Sequence, residues 1–252
     1  MAKITADLLQ REKSVREFIE KYAALFDLDP NLVRGLITHE SRFVSEAISP
    51  TGAFGYGQFT HIAVKQVQNI SAMTDKAADL WNFTKKEASD EDRGVKAICA
   101  TLWWLFNKKY PQIQDRKIQL EAVLTFYNGG GRPAALVIQR GGHTEALSAL
   151  KALPGNIRSQ SPVYAPAVAE WFIAWHEQIL QENAEKKEEV PSAKIPTTTN
   201  PFDEKSLKLD VRYRALIESL RLVDAKDTSI DMIINERDGL TEVTLIFPGE
   251  LD

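Results

Sequence analysis

Apolar residues recur at three- and four-residue spacing along most of residues 5–184, and no run there alternates convincingly with the two-residue rhythm of a strand. A chain written in that period can bury its stripes only by packing helix on helix. The spacing predicts helices over 5–26, from the Asp29-Pro30 pair to about Phe43, and over 61–70, 74–82, 90–108 and 117–127. "NGGGR" at 128–132 interrupts the pattern, which resumes over 133–139, 144–151 and 163–184. Asp29 is suited to cap the second helix and Pro30 to its first turn. The first two-thirds of the chain therefore reads as mainly α.

From 185 the text changes. "EKKEEVPSAKIPTTTNPFDEKS" carries three prolines, a charge run and no apolar period, which marks residues 185–206 as a linker. Beyond it, "LDVRYRALIESLRLVD" reads as a helix, and "SIDMIIN" and "LTEVTLIF" as two strands around the Asp-Gly turn of "ERDG". An α-β-β unit over 207–252 buries too little surface to be secure alone. Docking on the main domain, on a second copy in a homo-oligomer, or on a partner protein is the expectation.

The chain has 252 residues, 44% of them hydrophobic and 26% charged, with a net charge of −4. That balance supplies a real core and gives no overall electrostatic reason to bind nucleic acid or an anionic membrane. The single cysteine, Cys99, sits among Val95, Ile98 and Leu102, as a buried thiol would, and allows no internal disulfide. His39, His61, His143 and His176 lack metal-ligand spacing, so neither metal nor cofactor is expected. "MAKITADLLQREKSVREF" has no signal-peptide core, and "TLWWLF" is far too short to cross a bilayer. Synthesis in the cytoplasm without a signal peptide follows as an expectation.

One position breaks the apolar logic. Leu32, Val33, Leu36 and Ile37 form the inward stripe of the second helix, and its continuation lands on Glu40. Burial and the negative end of the helix dipole both push such a carboxyl toward its protonated form, which suits a general acid. The alternative is a stripe-edge glutamate neutralised by Arg34 or Arg42. Immediately downstream, "SPTGAFGYGQF" places glycines at 52, 55 and 57 and then presents Gln58, a two-ended hydrogen-bonding amide. No strand precedes these glycines and no Lys-Ser/Thr follows, so a phosphate-binding loop is a poor fit.

Glu40-Ser41 followed by "AISPTGAFGYGQF", then "TFYNGGGR", then "QSPVYAPAV" resemble, in order, motifs of the lytic transglycosylase family with the soluble-lytic-transglycosylase (goose-lysozyme-like) fold. The similarity spans roughly 25–178. It departs from the pattern at Tyr56-Gly57, at Gln160-Ser161, and in "GVKAICATL", which keeps only Val95 and Leu102 in kind.

The resemblance implies a lysozyme-like helical domain over 1–184 acting on peptidoglycan glycan strands. The bond cut is β-1,4, between N-acetylmuramic acid and N-acetylglucosamine, with a 1,6-anhydro product. Glu40 would be acid and then base, Ser49 and Gln58 would bind amide groups, and Tyr164 would serve the acetamido group. Asn128 would hold Glu40 or the sugar, and Tyr127 would wall the groove. The aromatics also read as core residues with a wet hydroxyl, and Asn128 as a helix cap. No second carboxylate falls in the motifs; Glu46, Asp75 and Asp92 remain by elimination. Trp171 and Trp175, one turn apart, read as core, and His39 as facing another side of the helix. A hydrolytic muramidase, and a silent structural or injection protein, stay open as alternatives. Without a signal peptide, the enzyme suits a bacteriophage virion or a secretion machine, whose proteins the C-terminal unit would engage.

Overall fold

The protein is described by a computed structural model at residues 2–188, 231–237 and 240–246. Two units are distinguished, Met1–Ala193 and Lys194–Asp252, and each is described by itself.

The first unit is helical, as its period requires. Helix α1 spans Ala6–Phe26, α2 Pro30–Ser41 and α3 His61–Ser71. Two 3-10 segments, Asp75–Asn82 and Lys86–Ser89, lead to α4, Glu91–Trp104, which ends in one π turn at Leu105–Lys109. Then come α5 Arg116–Gly129, α6 Gly131–Arg140, α7 His143–Lys151 and α8 Gly155–Glu188. Short polar side chains start most of them: Thr5, Asp29, Thr60, Asp90 and Asp115 each accept a first-turn amide.

Helix α2 is the axis of the unit, and every residue from Asn31 to Thr38 is buried. A helix buried all round must be wrapped by its neighbours, here α1 on one side and α8 on the other. The approach to α8 is close enough to require Gly35. A Cβ there would meet the Phe172 amide nitrogen at 2.8 Å. One turn on, the buried Trp175 indole donates to Thr38 Oγ1 at 2.7 Å and meets Phe43 edge-on. The reading of Trp175 as core therefore holds.

Arg34, 1% exposed, is aimed at α1. Its Nε donates to Glu12 at 2.7 Å, its Nη1 to Asn31 at 3.1 Å, and its Nη2 pairs with Glu20. Arg16 extends the network from Glu12 to Glu182 on α8. Buried charge is tolerable only when partnered this fully.

The last helix departs from its expected bounds, starting at Gly155 instead of 163 and running to Glu188 instead of 184. Pro162 and Pro166 lie inside it. Each removes one ladder donor, a local cost that punctuates the sequence without ending the helix. The segment expected as a helix at 74–82 is 3-10 instead.

In the second unit, β1 (Asp231–Arg237) pairs antiparallel with β2 (Leu240–Ile246), from Asp231↔Ile246 to Arg237↔Leu240. The strands expected around "ERDG" are thus present. The helix expected at 209–224, most of the linker at 185–206 and residues 238–239 lie outside the described residues.

Candidate active site

The chain reverses sharply after the acid. Ser41 ends α2, and Arg42 and Phe43 both adopt left-handed backbone, at φ +52° and +58°. Non-glycine residues accept that conformation only when the surroundings fix it. Burial of Phe43 against Trp175 and the Arg42 guanidinium over the Trp171 ring, 5.6 Å from its centroid, supply the hold. Glu40 is thereby kept at the end of α2, facing α8.

There it lines an open cleft of about 190 Å3 with His39, Asn128, Gln160, Val163 and Tyr164. Among the described residues, Glu40 is the only carboxyl on that wall. Tyr164, 3% exposed, donates its hydroxyl to Glu40 Oε1. The expected cation partners are elsewhere, Arg34 committed to α1 and Arg42 stacked on Trp171, so neutralisation by either arginine is not the arrangement found. Burial raises the Glu40 pKa from 4.5 to about 7, and the Tyr164 hydrogen bond opposes the rise without cancelling it. Burial and the adjoining Glu40 charge push Tyr127 and Tyr164 well above the ordinary phenol value, so both remain protonated.

The residues singled out in the sequence fall in three places. Glu40, Asn128 and Tyr164 share the cleft. Asn128 makes no bond to Glu40. Its Nδ2 faces Gln160 Oε1 at 3.4 Å, and its buried Oδ1 has no hydrogen-bond partner among the described residues. Tyr127 stands behind them, its hydroxyl donating to the Gly57 carbonyl at 3.0 Å. That contact ties the glycine loop to α5 and leaves no room for a side chain at 57, where a Cβ would meet the Tyr127 oxygen at 2.7 Å.

Ser49 and Gln58 are in the loop itself. Ser49 Oγ accepts the Ala53 amide at 2.9 Å, and Gln58 Nε2 donates to the carbonyls of Ala47 and Gly55 at 2.9 and 3.0 Å. With both amide protons so used, Gln58 has only its Oε1 left to offer. Glu46 and Asp75 are exposed, and Asp92 is paired with Lys21 and Tyr22 of α1; none lines the cleft.

His39 needs correcting. It does not face away from the acid: its ring lines the same cleft and meets Tyr164 edge-on, with centroids 4.7 Å apart at 83°. Neighbours on a helix diverge by about 100°, but a cleft spanning the exposed end of α2 receives both. Gln160 was also missed, because helix α8 was expected to begin only at 163, and so was Val163, whose 59% exposure no apolar period signals.

Among the described residues, no three His, Cys, Asp or Glu side chains are grouped to hold a metal ion, and no helix is long and apolar enough to cross a membrane. A family model described as transglycosylase SLT domain matches residues 17–147, more than half of the chain. No curated protein matches it. The matched segment contains Glu40, the glycine loop and the Tyr127-Asn128 pair, and stops short of α8 and its Tyr164.

Proposed function

The chain belongs to the transglycosylase SLT domain family of peptidoglycan lytic transglycosylases, and from that premise we propose that Glu40 is the acid and then the base of its lyase-type glycan cleavage. The bond is the β-1,4 linkage from N-acetylmuramic acid to N-acetylglucosamine. Glu40 gives its proton to the glycosidic oxygen as the C1–O bond breaks. The substrate's 2-acetamido oxygen stabilises the cationic C1. The Glu40 carboxylate then takes the proton of the C6 hydroxyl, and O6 bonds to C1, closing a 1,6-anhydro ring. The acid is restored and no water is consumed.

One observation carries this reading: a half-buried carboxyl, its pKa raised to about 7, faces an open cleft and has, among the described residues, no counter-ion and no second carboxyl beside it on the lining. A two-carboxylate glycosidase requires a partner about 5–9.5 Å away, and among the described residues none lines this wall. Tyr164 holds the acid's Oε1, Asn128 stands on the cleft wall beside Gln160 as a candidate sugar contact, and Tyr127 sets the loop. Ser49 and Gln58 act chiefly by shaping that loop, with Gln58 Oε1 free to accept an amide proton.

Mass spectrometry of digested sacculi tests the chemistry. Anhydro products, one water lighter than hydrolytic ones, are expected from the wild type. Reducing ends alone would assign a hydrolase, and clearance no faster than that of Glu40→Gln would assign a binding protein.

For the second unit, we propose docking to a virion or secretion-machine protein. A two-stranded hairpin is marginal in water by itself, which supports a partner. Sedimentation of the full chain distinguishes this from self-association.

A further inference from the structure

We propose that His39 is a substrate-contacting residue, hydrogen-bonding through its ring a hydroxyl or acetamido N–H of the sugar bound beside Glu40. The inference rests on the glycan-cleaving reading above and assigns a role to a side chain that reading does not use.

Three observations meet at this ring. It is on the cleft wall, next in sequence to the acid. It is held in orientation, since its edge-on packing against Tyr164 restricts both rings, and the Tyr164 hydroxyl is in turn fixed on Glu40. And it is chemically idle: among the described residues neither ring nitrogen hydrogen-bonds a protein group. Half-buried polar atoms oriented toward a cleft and spared by the protein are available to a ligand.

The charge state fits the role. Burial lowers the His39 pKa, and the Arg42 guanidinium lowers it further, so the ring is neutral at pH 7. A neutral imidazole has one donor and one acceptor, the pairing that a sugar hydroxyl or an acetamido group presents in return. The other groups around it, Glu40 and Tyr164, are bonded to one another and leave the imidazole free. Removal of the ring should therefore weaken binding more than it slows the bond-breaking step.

The test separates the nitrogens from the ring. In the full chain, His39→Gln retains a donor and an acceptor, His39→Phe retains the ring against Tyr164 without nitrogens, and His39→Ala retains neither. Each is measured for kcat and KM on soluble peptidoglycan fragments. Each is also combined with Glu40→Gln and titrated calorimetrically with an uncleaved tetrasaccharide of alternating N-acetylglucosamine and N-acetylmuramic acid.

The expected result is a KM and a Kd raised roughly five- to tenfold in Phe and Ala, kcat changed less, and Gln close to wild type. Phe matching wild type in both KM and Kd would overturn the inference by reducing the ring to packing. An unchanged Ala variant would do the same. A wild-type chain that binds the tetrasaccharide through His39 but cleaves nothing removes the catalytic reading and leaves this one standing. A chain that neither cleaves nor binds removes both.

Discussion

Two ionised-type side chains sit on the same buried helix, six residues apart, and the protein treats them oppositely. Arg34 is surrounded by Glu12, Glu20 and Asn31, with Arg16 and Glu182 completing the network. Among the described residues Glu40 has one phenol and no cation. A charge buried for stability is partnered until its desolvation is offset. A charge buried for chemistry is left short of partners, so that its neutral form persists at the working pH. The contrast supports the proposed role of Glu40 without reference to any relative.

The largest expected effect breaks the Glu40 side. Glu40→Gln should lower peptidoglycan cleavage about 10²–10⁴-fold, read by release of soluble muropeptides. It should not unfold the protein. Because the folded-state pKa is raised from 4.5 to about 7, ionisation of Glu40 opposes folding, and the loss of stability accrues as pH rises through that window. The variant should thus be less sensitive to pH between 4.5 and 7 in thermal melts, and relatively more stable at pH 8.

Breaking the Arg34 side should do the reverse. Arg34→Ala leaves Glu12, wholly buried, without its one fully buried counter-charge, with only the more exposed Arg16 still paired to it, and should cost about 3–5 kcal/mol in denaturant titration. Whatever fraction stays folded should retain catalysis, since Arg34 has no contact with the cleft.

Much of this contrast is written in the sequence. The Asp29-Pro30 start and the stripe of Leu32, Val33, Leu36 and Ile37 set the phase of α2, and that phase alone put Glu40 inside. Tyr164 was singled out through the closing motif, and the helix presenting it was expected, but from 163 instead of its actual start at Gly155. Pro162 and Pro166 punctuate the text as a boundary, whereas packing against α2 carries the helix through both. The network at Arg34 was invisible because its partners come from α1 and α8, and a single helix's period cannot say which neighbour meets a polar residue. His39 was misplaced for a related reason: a helical wheel gives direction but not where the neighbouring wall ends.

Smaller changes sharpen the comparison. Tyr164→Phe removes the hydrogen bond that favours the charged acid, so the Glu40 pKa should rise above about 7 and the alkaline limb of the kcat/KM profile should move up with it. Its rate should fall roughly tenfold to a hundredfold, provided the lost hydroxyl also serves the substrate. Trp175→Phe gives up the bond to Thr38 and some of the packing of a fully buried indole, and should cost about 1–3 kcal/mol, detectable as a drop in Tm with cleavage largely intact.

The most direct measurement is a titration of the acid itself. Carbon-13 NMR of glutamate-labelled protein, with Glu40→Gln to assign the resonance, gives the carboxyl midpoint in the folded chain. A midpoint near 7, well clear of the exposed glutamates, is the result expected of an acid buried without a cation. A midpoint near 4.5 would mean that Glu40 is charged at neutral pH and has no proton to give the glycosidic oxygen.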